Sequence, residues 1–165
     1  MAKAPTKKTT DAIDLLDADH VAVKKHFMAY KKLCESDGSP DDKQEIADQI
    51  CQELTVHTQI EEEIFYPQVR EAIGDDELLD EAEVEHATAK DLIAQISEMD
   101  PEDDKYDAKV TVLGEYIDHH VKQEREEIFT KARKTKLDFV AMADELTERK
   151  AELMESTASS EKDAK

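Results

Sequence analysis

Apolar residues recur along the chain at alternating spacings of three and four, the interval that places side chains on one stripe of an α-helix. In the first such segment Ile13, Leu16, His20, Val23, Phe27, Tyr30 and Cys34 step in this way. A second stripe runs through Ile50, Leu54, His57, Glu61 and Ile64, and a third through Leu79, Ala82, His86, Ala89, Ile93 and Ile96. A fourth takes Leu113, Tyr116 or Ile117, His120, Glu124 and Ile128, and a fifth takes Leu137, Val140, Ala143, Leu146 and Leu153. The stripes are separated at Cys34–Pro40, Pro67–Asp76, Ser97–Asp104 and Arg133–Lys136. Ser39 followed by Pro40, Asp41 and Asp42 is a helix start: a capping hydroxyl, a fixed first φ, then acids facing the positive end of the helix dipole. Pro67 lacks an N–H and crowds the preceding turn, so the second helix is expected to kink or stop there.

Four long helices joined by short connections make antiparallel neighbours. The predicted fold is therefore all-α: an up-down-up-down four-helix bundle over residues 11–133 with an additional C-terminal helix over 134–155. The flanking segments 1–10 and 156–165 are small and polar and read as disordered tails.

Composition narrows the picture. The 165 residues carry 42 acidic and 22 basic side chains, a formal charge of -20, with 3 Gly, 4 Pro and no Trp. So few turn-formers and aromatics argue against sheets. The charge repels phosphates, so neither nucleic acid nor an anionic membrane is an expected partner, whereas cations are. No apolar run approaches the ~20 residues of a membrane span, and the N-terminus has no hydrophobic signal stretch, which places the expected location in the cytoplasm. Cys34 and Cys51 are too few for a disulfide framework and read as reduced packing residues.

The chemistry lies where polar residues interrupt the stripes. Two histidines have a glutamate four positions on, His57 with Glu61 and His120 with Glu124, which is about what chance gives in so acidic a chain. Position is the stronger signal: His20, His57, His86 and His120 each take an inward place on a different helix, and Glu61 and Glu124 lie one turn further along two of them. With a rise of about 1.5 Å per residue, His20 and His57 counted from their shared loop differ in height by about 5 Å, and the other pairs also fall near mid-bundle. Two carboxylates buried at that level would cost several kcal/mol each without a counter-charge. No Lys or Arg of the first, second or fourth helix lies inward there, and Lys90 of the third only borders the face. A bound cation resolves the conflict. Imidazole with carboxylate suits iron, manganese or zinc, and four His with two Glu favour two metals bridged by the carboxylates. Two octahedral ions offer about 12 positions, of which the six side chains and one bridging oxygen fill about ten, leaving room for a small ligand.

The residues Asp19-His20, His57-Thr-Gln-Ile-Glu61-Glu-Glu-Ile-Phe-Tyr-Pro67, Glu85-His86 and His119-His120-Val-Lys-Gln-Glu124 resemble, in order, the hemerythrin-like proteins with the HHE cation-binding domain, in their bacterial H–HxxxE–H–HxxxE branch. The resemblance implies two non-haem iron ions, bridged by Glu61, Glu124 and an oxo or hydroxo group, with His20, His57, His86 and His120 as terminal ligands. Oxygen-carrying hemerythrins have a further histidine where this chain has Lys90, and an aspartate at i+5 where it has Glu124 at i+4, so the chain departs from them. The implied function is binding or reduction of O₂, NO or peroxide in oxidative or nitrosative stress defence, as an oxidoreductase where it turns over, with an external electron donor needed for reductive turnover. The alternatives are an iron or oxygen sensor, an iron store or an iron–sulfur repair protein. Glu83, Glu127 or one of Tyr30, Tyr66 and Tyr116 could complete the metal shell. His26 and His119 fall off the inward stripe.

Overall fold

The computed structural model describes residues 9–163, with side chains described as far as Ser160. Most of the expected N-terminal tail, residues 1–8, and the last two residues lie outside the described residues, while Thr9 and Thr10 are exposed and non-helical. The described elements are all helical: α1 (Ala12–Glu35), α2 (Pro40–Ile60), a π-helical turn (Glu61–Phe65), α3 (Tyr66–Ile73), α4 (Asp76–Glu98), α5 (Tyr106–Gln123), a second π-helical turn (Glu124–Phe129), α6 (Thr130–Ala132) and α7 (Phe139–Asp163). No described helix is long and apolar enough to cross a membrane.

Side-chain caps set the starts. Asp11 and Asp14 form a reciprocal capping box on α1, Ser39 accepts from the Asp42 N–H at 3.2 Å, and Asp75 accepts from the Leu78 N–H at 3.2 Å. Gly74 ends α3 in the left-handed region, φ 71°, where a side chain would be strained.

The second rod does not stop at Pro67. It passes through the wider π-helical turn at 61–65, where the α-type bond that proline could not have donated is already suspended, and continues to Ile73. The extra residue in that turn also rotates the stripe: Phe65 and Tyr66 are fully buried, and Ile64, the expected inward residue, is only partly so.

α1, α2 with α3, α4, and α5 with α6 close into a four-helix ring. Cross-helix pairs fix the antiparallel order: His26 with Glu53, Arg70 with Glu83, Lys109 with Gln95, and Arg133 at the end of the fourth rod with Asp11 at the start of the first. α7 packs outside on α1 and α2 through buried Met142, Ala143 and Leu146, while Val140, expected inward, is exposed. Residues 156–163, read from sequence as a disordered tail, continue α7. No Gly or Pro interrupts them, and Ser159 and Ser160 donate back to the Glu155 and Ser156 carbonyls.

The core consists of two apolar clusters. One includes Leu16, Ile60, Phe65, Leu79, Ile128 and Leu146; the other includes Val23, Ile50, Leu54, Ile93, Leu113 and Ile117. In sequence, each inward histidine falls between a residue of the first cluster and one of the second. A polar layer thus divides the interior.

Candidate metal centre

All six residues expected in that layer are in it. His20, His57, His86 and His120 are buried, and Glu61 and Glu124 have no exposed surface. Their ligand-type atoms form two overlapping groups, His20–His57–Glu61–Glu124 and Glu61–His86–His120, each with its atoms within 4.8 Å of one another. Glu61 belongs to both: its Oε1 lies 2.8 Å from His57 Nε2 and its Oε2 lies 3.1 Å from His86 Nε2. Glu124 Oε2 is 3.2 Å from His120 Nε2 and 3.5 Å from His20 Nε2. Each carboxylate opens one of the two π-helical turns.

The imidazoles are oriented from outside the ring. His57 Nδ1 donates to Asp19 at 3.0 Å, His86 Nδ1 to Glu62 at 3.1 Å, His20 Nδ1 to Asp17 at 3.3 Å, and His120 Nδ1 to Glu85. An ionised carboxylate only accepts, so each bond places a proton on Nδ1 and aims Nε2 inward, free to offer its lone pair to a metal. Three of the acids are themselves held by surface cations, Arg125 on Asp17, Lys150 on Asp19 and Lys90 on Glu62, each at 2.5 Å, and His119 lies 3.9 Å from Glu85. Lys90 therefore points outward.

These four acids are not apparent from stripe reading. Asp19, Glu62 and Glu85 each sit one residue from an inward group, about 100° round the helix, so each faces the next rod and serves that rod's histidine. The sequence signal was an acid beside His20, Glu61 and His86, indistinguishable on its own from a solvated face. Tyr66 is a further member: fully buried, its hydroxyl donates to His86 Nε2 at 3.2 Å and its ring stacks on that imidazole. Glu83 and Glu127 are exposed, Glu83 paired with Arg70, and neither reaches the ring. Tyr30 bonds Asp107 at the far end of the bundle, and Tyr116 is only partly buried. His26 pairs with Glu53, and the side chain of His119 is 72% exposed.

The inward atoms conflict electrostatically. His20 Nε2 faces His57 Nε2 at 3.1 Å, and His86 Nε2 faces His120 Nε2 at 3.1 Å, so two neutral imidazoles in either pair would oppose their lone pairs, and without a metal one of each pair must hold a second proton. Among the described residues, none donates a hydrogen bond to the four oxygens of Glu61 and Glu124. Titration follows. Burial and the neighbouring His57 push His20 down to about 4, while burial and the Glu61 charge push Glu124 up to about 7. Burial also opposes charge on His57, but Glu61 and Asp19 outweigh it and carry the imidazole up to about 10. Buried carboxylates without hydrogen bonds and imidazole nitrogens held face to face are the arrangement a cation relieves, so the donor set fits metal ions.

Fold and site together define a helical bundle built around a buried imidazole–carboxylate ring. The hemerythrin HHE cation-binding domain matches residues 11–132, and the chain belongs to that family. A solved structure of a hemerythrin HHE cation-binding domain-containing protein from Mycobacterium kansasii superposes with a TM-score of 0.73, covering 89% of each chain at 16% identity, a likeness of fold. A protein of Nostoc sp. described as a DNA nickase is 31% identical over 130 residues. Those residues are 77% of this chain but only 35% of the nickase.

Proposed function

We propose that the chain is a non-haem di-iron protein that binds or reduces O₂, NO or peroxide in defence against oxidative or nitrosative stress. His20, His57, His86 and His120 are the terminal ligands, and Glu61 and Glu124 bridge. The observation that carries this reading is the set of four buried carboxylate oxygens without hydrogen bonds, set among four imidazole Nε2 atoms whose Nδ1 protons are all engaged elsewhere. Iron, when bound there, supplies electrons and open coordination positions to a small ligand.

The chain's own groups supply the rest. Asp17, Asp19, Glu62 and Glu85 hold the imidazole protons at Nδ1 and so keep the ring fixed in one tautomer. Tyr66 carries a proton on Oη beside His86 Nε2, the single hydroxyl among the groups described at the ring, and is placed to donate it to a ligand there. The two apolar clusters keep bulk water from the layer. The sensor, store and repair readings share this ring and differ in turnover.

Quantifying Fe, Mn and Zn per chain after iron-replete expression tests the centre: about two iron per chain is expected, and near-zero metal with unchanged folding refutes it. Stopped-flow mixing with peroxide then separates the functions. Sustained O₂ release marks an enzyme; one spectral change per centre marks a sensor or carrier.

A further inference from the structure

The ring is reached through a cavity of about 260 Å³ between α1, α2, α5 and α7. All four imidazoles line it, and its other buried lining residues are mainly apolar, Val23, Leu54, Val56, Ile117 and Val121. The lining residues that reach the surface are Ala22, Asp19, Glu53 and, from α7, Lys150 and Met154, which mark the outer end. A water occupies about 30 Å³ of liquid, so the space takes several small molecules. Lys150 does not swing freely, because its ammonium is tied to Asp19 at 2.5 Å, and Asp19 in turn holds His57. Asp19 and Glu53 leave the mouth with more negative than positive charge, on a chain of formal charge -20.

From these facts we infer that α7 is the selective wall of the ligand route, with Met154 as its width-determining residue, and that the route admits small neutral molecules of the NO, O₂ and hydrogen peroxide class while disfavouring anions. Apolar walls cannot solvate a charged ligand, and the acidic mouth repels an anion before it arrives. Methionine is unbranched and flexible, so it can close a narrow mouth without sealing it. The fifth helix thereby has a role besides packing: it lies across the α1–α2 seam and carries the residue that sets what passes. This inference rests on the ring being the ligand's destination.

The test compares iron-loaded wild type, Met154→Trp and Met154→Ala. In crystals pressurised with xenon, wild type and Met154→Ala are expected to show the gas in the cavity and Met154→Trp to show little. In stopped-flow mixing, Met154→Trp is expected to slow NO binding about tenfold or more, and Met154→Ala to raise the rate with tert-butyl hydroperoxide relative to hydrogen peroxide about tenfold. Should the tryptophan variant fail to fold, the alanine variant still decides through that ratio. NO binding in Met154→Trp within about twofold of wild type at equal metal content would overturn the inference and point to the groove between α1 and α5, which also reaches His20. Xenon that enters wild type and is blocked by tryptophan, in protein that holds no iron, would uphold the route and sink the di-iron reading instead.

Discussion

Replacing Glu124 by Gln should have opposite effects on stripped and loaded protein. The Glu124 carboxyl is fully buried, and burial with the Glu61 charge moves its titration from an ordinary 4.5 up to about 7. At 1.36 kcal/mol per pH unit, keeping it ionised above pH 7 costs the folded protein about 3 kcal/mol when no cation is bound. The sign follows from the raised value. Between 4.5 and 7 the folded chain keeps a proton that the unfolded chain releases, so stability falls with rising pH across that window and levels off above it. Glutamine keeps the shape without the charge, and its amide oxygen can accept from a protonated His120 Nε2. Chelator-treated Glu124→Gln should therefore exceed wild type by about 3 kcal/mol at pH 8, about 6–12 °C in Tm for a chain of this length, and by under about 1 kcal/mol at pH 5. The loaded protein should show the reverse, since a carboxylate proposed to hold the metal is gone, and metal per chain should fall. Thermal melts at the two pH values, with chelator and with iron, provide the measurement. A stripped variant that melts at or below wild type at pH 8, or an advantage that does not shrink toward pH 5, would refute the charge conflict.

Asp19→Asn removes the charge behind His57 and should weaken iron binding about 10–100-fold in a chelator competition, with the His57→Ala variant losing far more. Leu146→Ala, at a fully buried position of α7, should cost about 2–5 kcal/mol in urea unfolding and loosen the cavity wall without altering the ring residues. Although the Nostoc relative is described as a DNA nickase, this chain should leave supercoiled plasmid intact at physiological salt, because its charge of -20 opposes approach to phosphates; relaxed circles formed by iron-loaded protein would contradict that.

The helix stripes were legible because a buried face needs apolar residues at fixed intervals, and the inward histidines stood out as interruptions of it. Their common height was legible because short loops tie register to residue count. The residues one place off the stripe were not. Asp19 and Glu85 look like surface acids until the neighbouring helix supplies His57 and His120 to donate to them. Tyr66 was legible as one of three candidate tyrosines but not by position: counted from Glu61 at α-helical spacing it falls well off the stripe, and the π-helical turn brings it in. A sequence read at a single period cannot register an added residue in one turn. The same turn explains why Pro67 bends expectation rather than the rod.

The two-cluster core determines how the protein should behave when metal is removed. Apolar packing stands on both sides of the polar layer, and α1, α2, α4 and α5 each contribute to it at both ends or through their continuations. Neither cluster needs the ring to exclude water from itself, so chelation should leave far-UV helicity nearly intact. What is lost is the stabilisation by mass action, RT ln(1 + [L]/Kd), together with the relief of the Glu61–Glu124 repulsion. Stripped protein should thus melt lower but still cooperatively, with hydrogen exchange quickening first at residues 57–66 and 120–129, where two π-helical turns and two unpaired carboxylates coincide. If chelation instead unfolded the whole chain, the ring would be organising the bundle. If it left both the melt and the exchange pattern unchanged, no cation would have been holding the ring together.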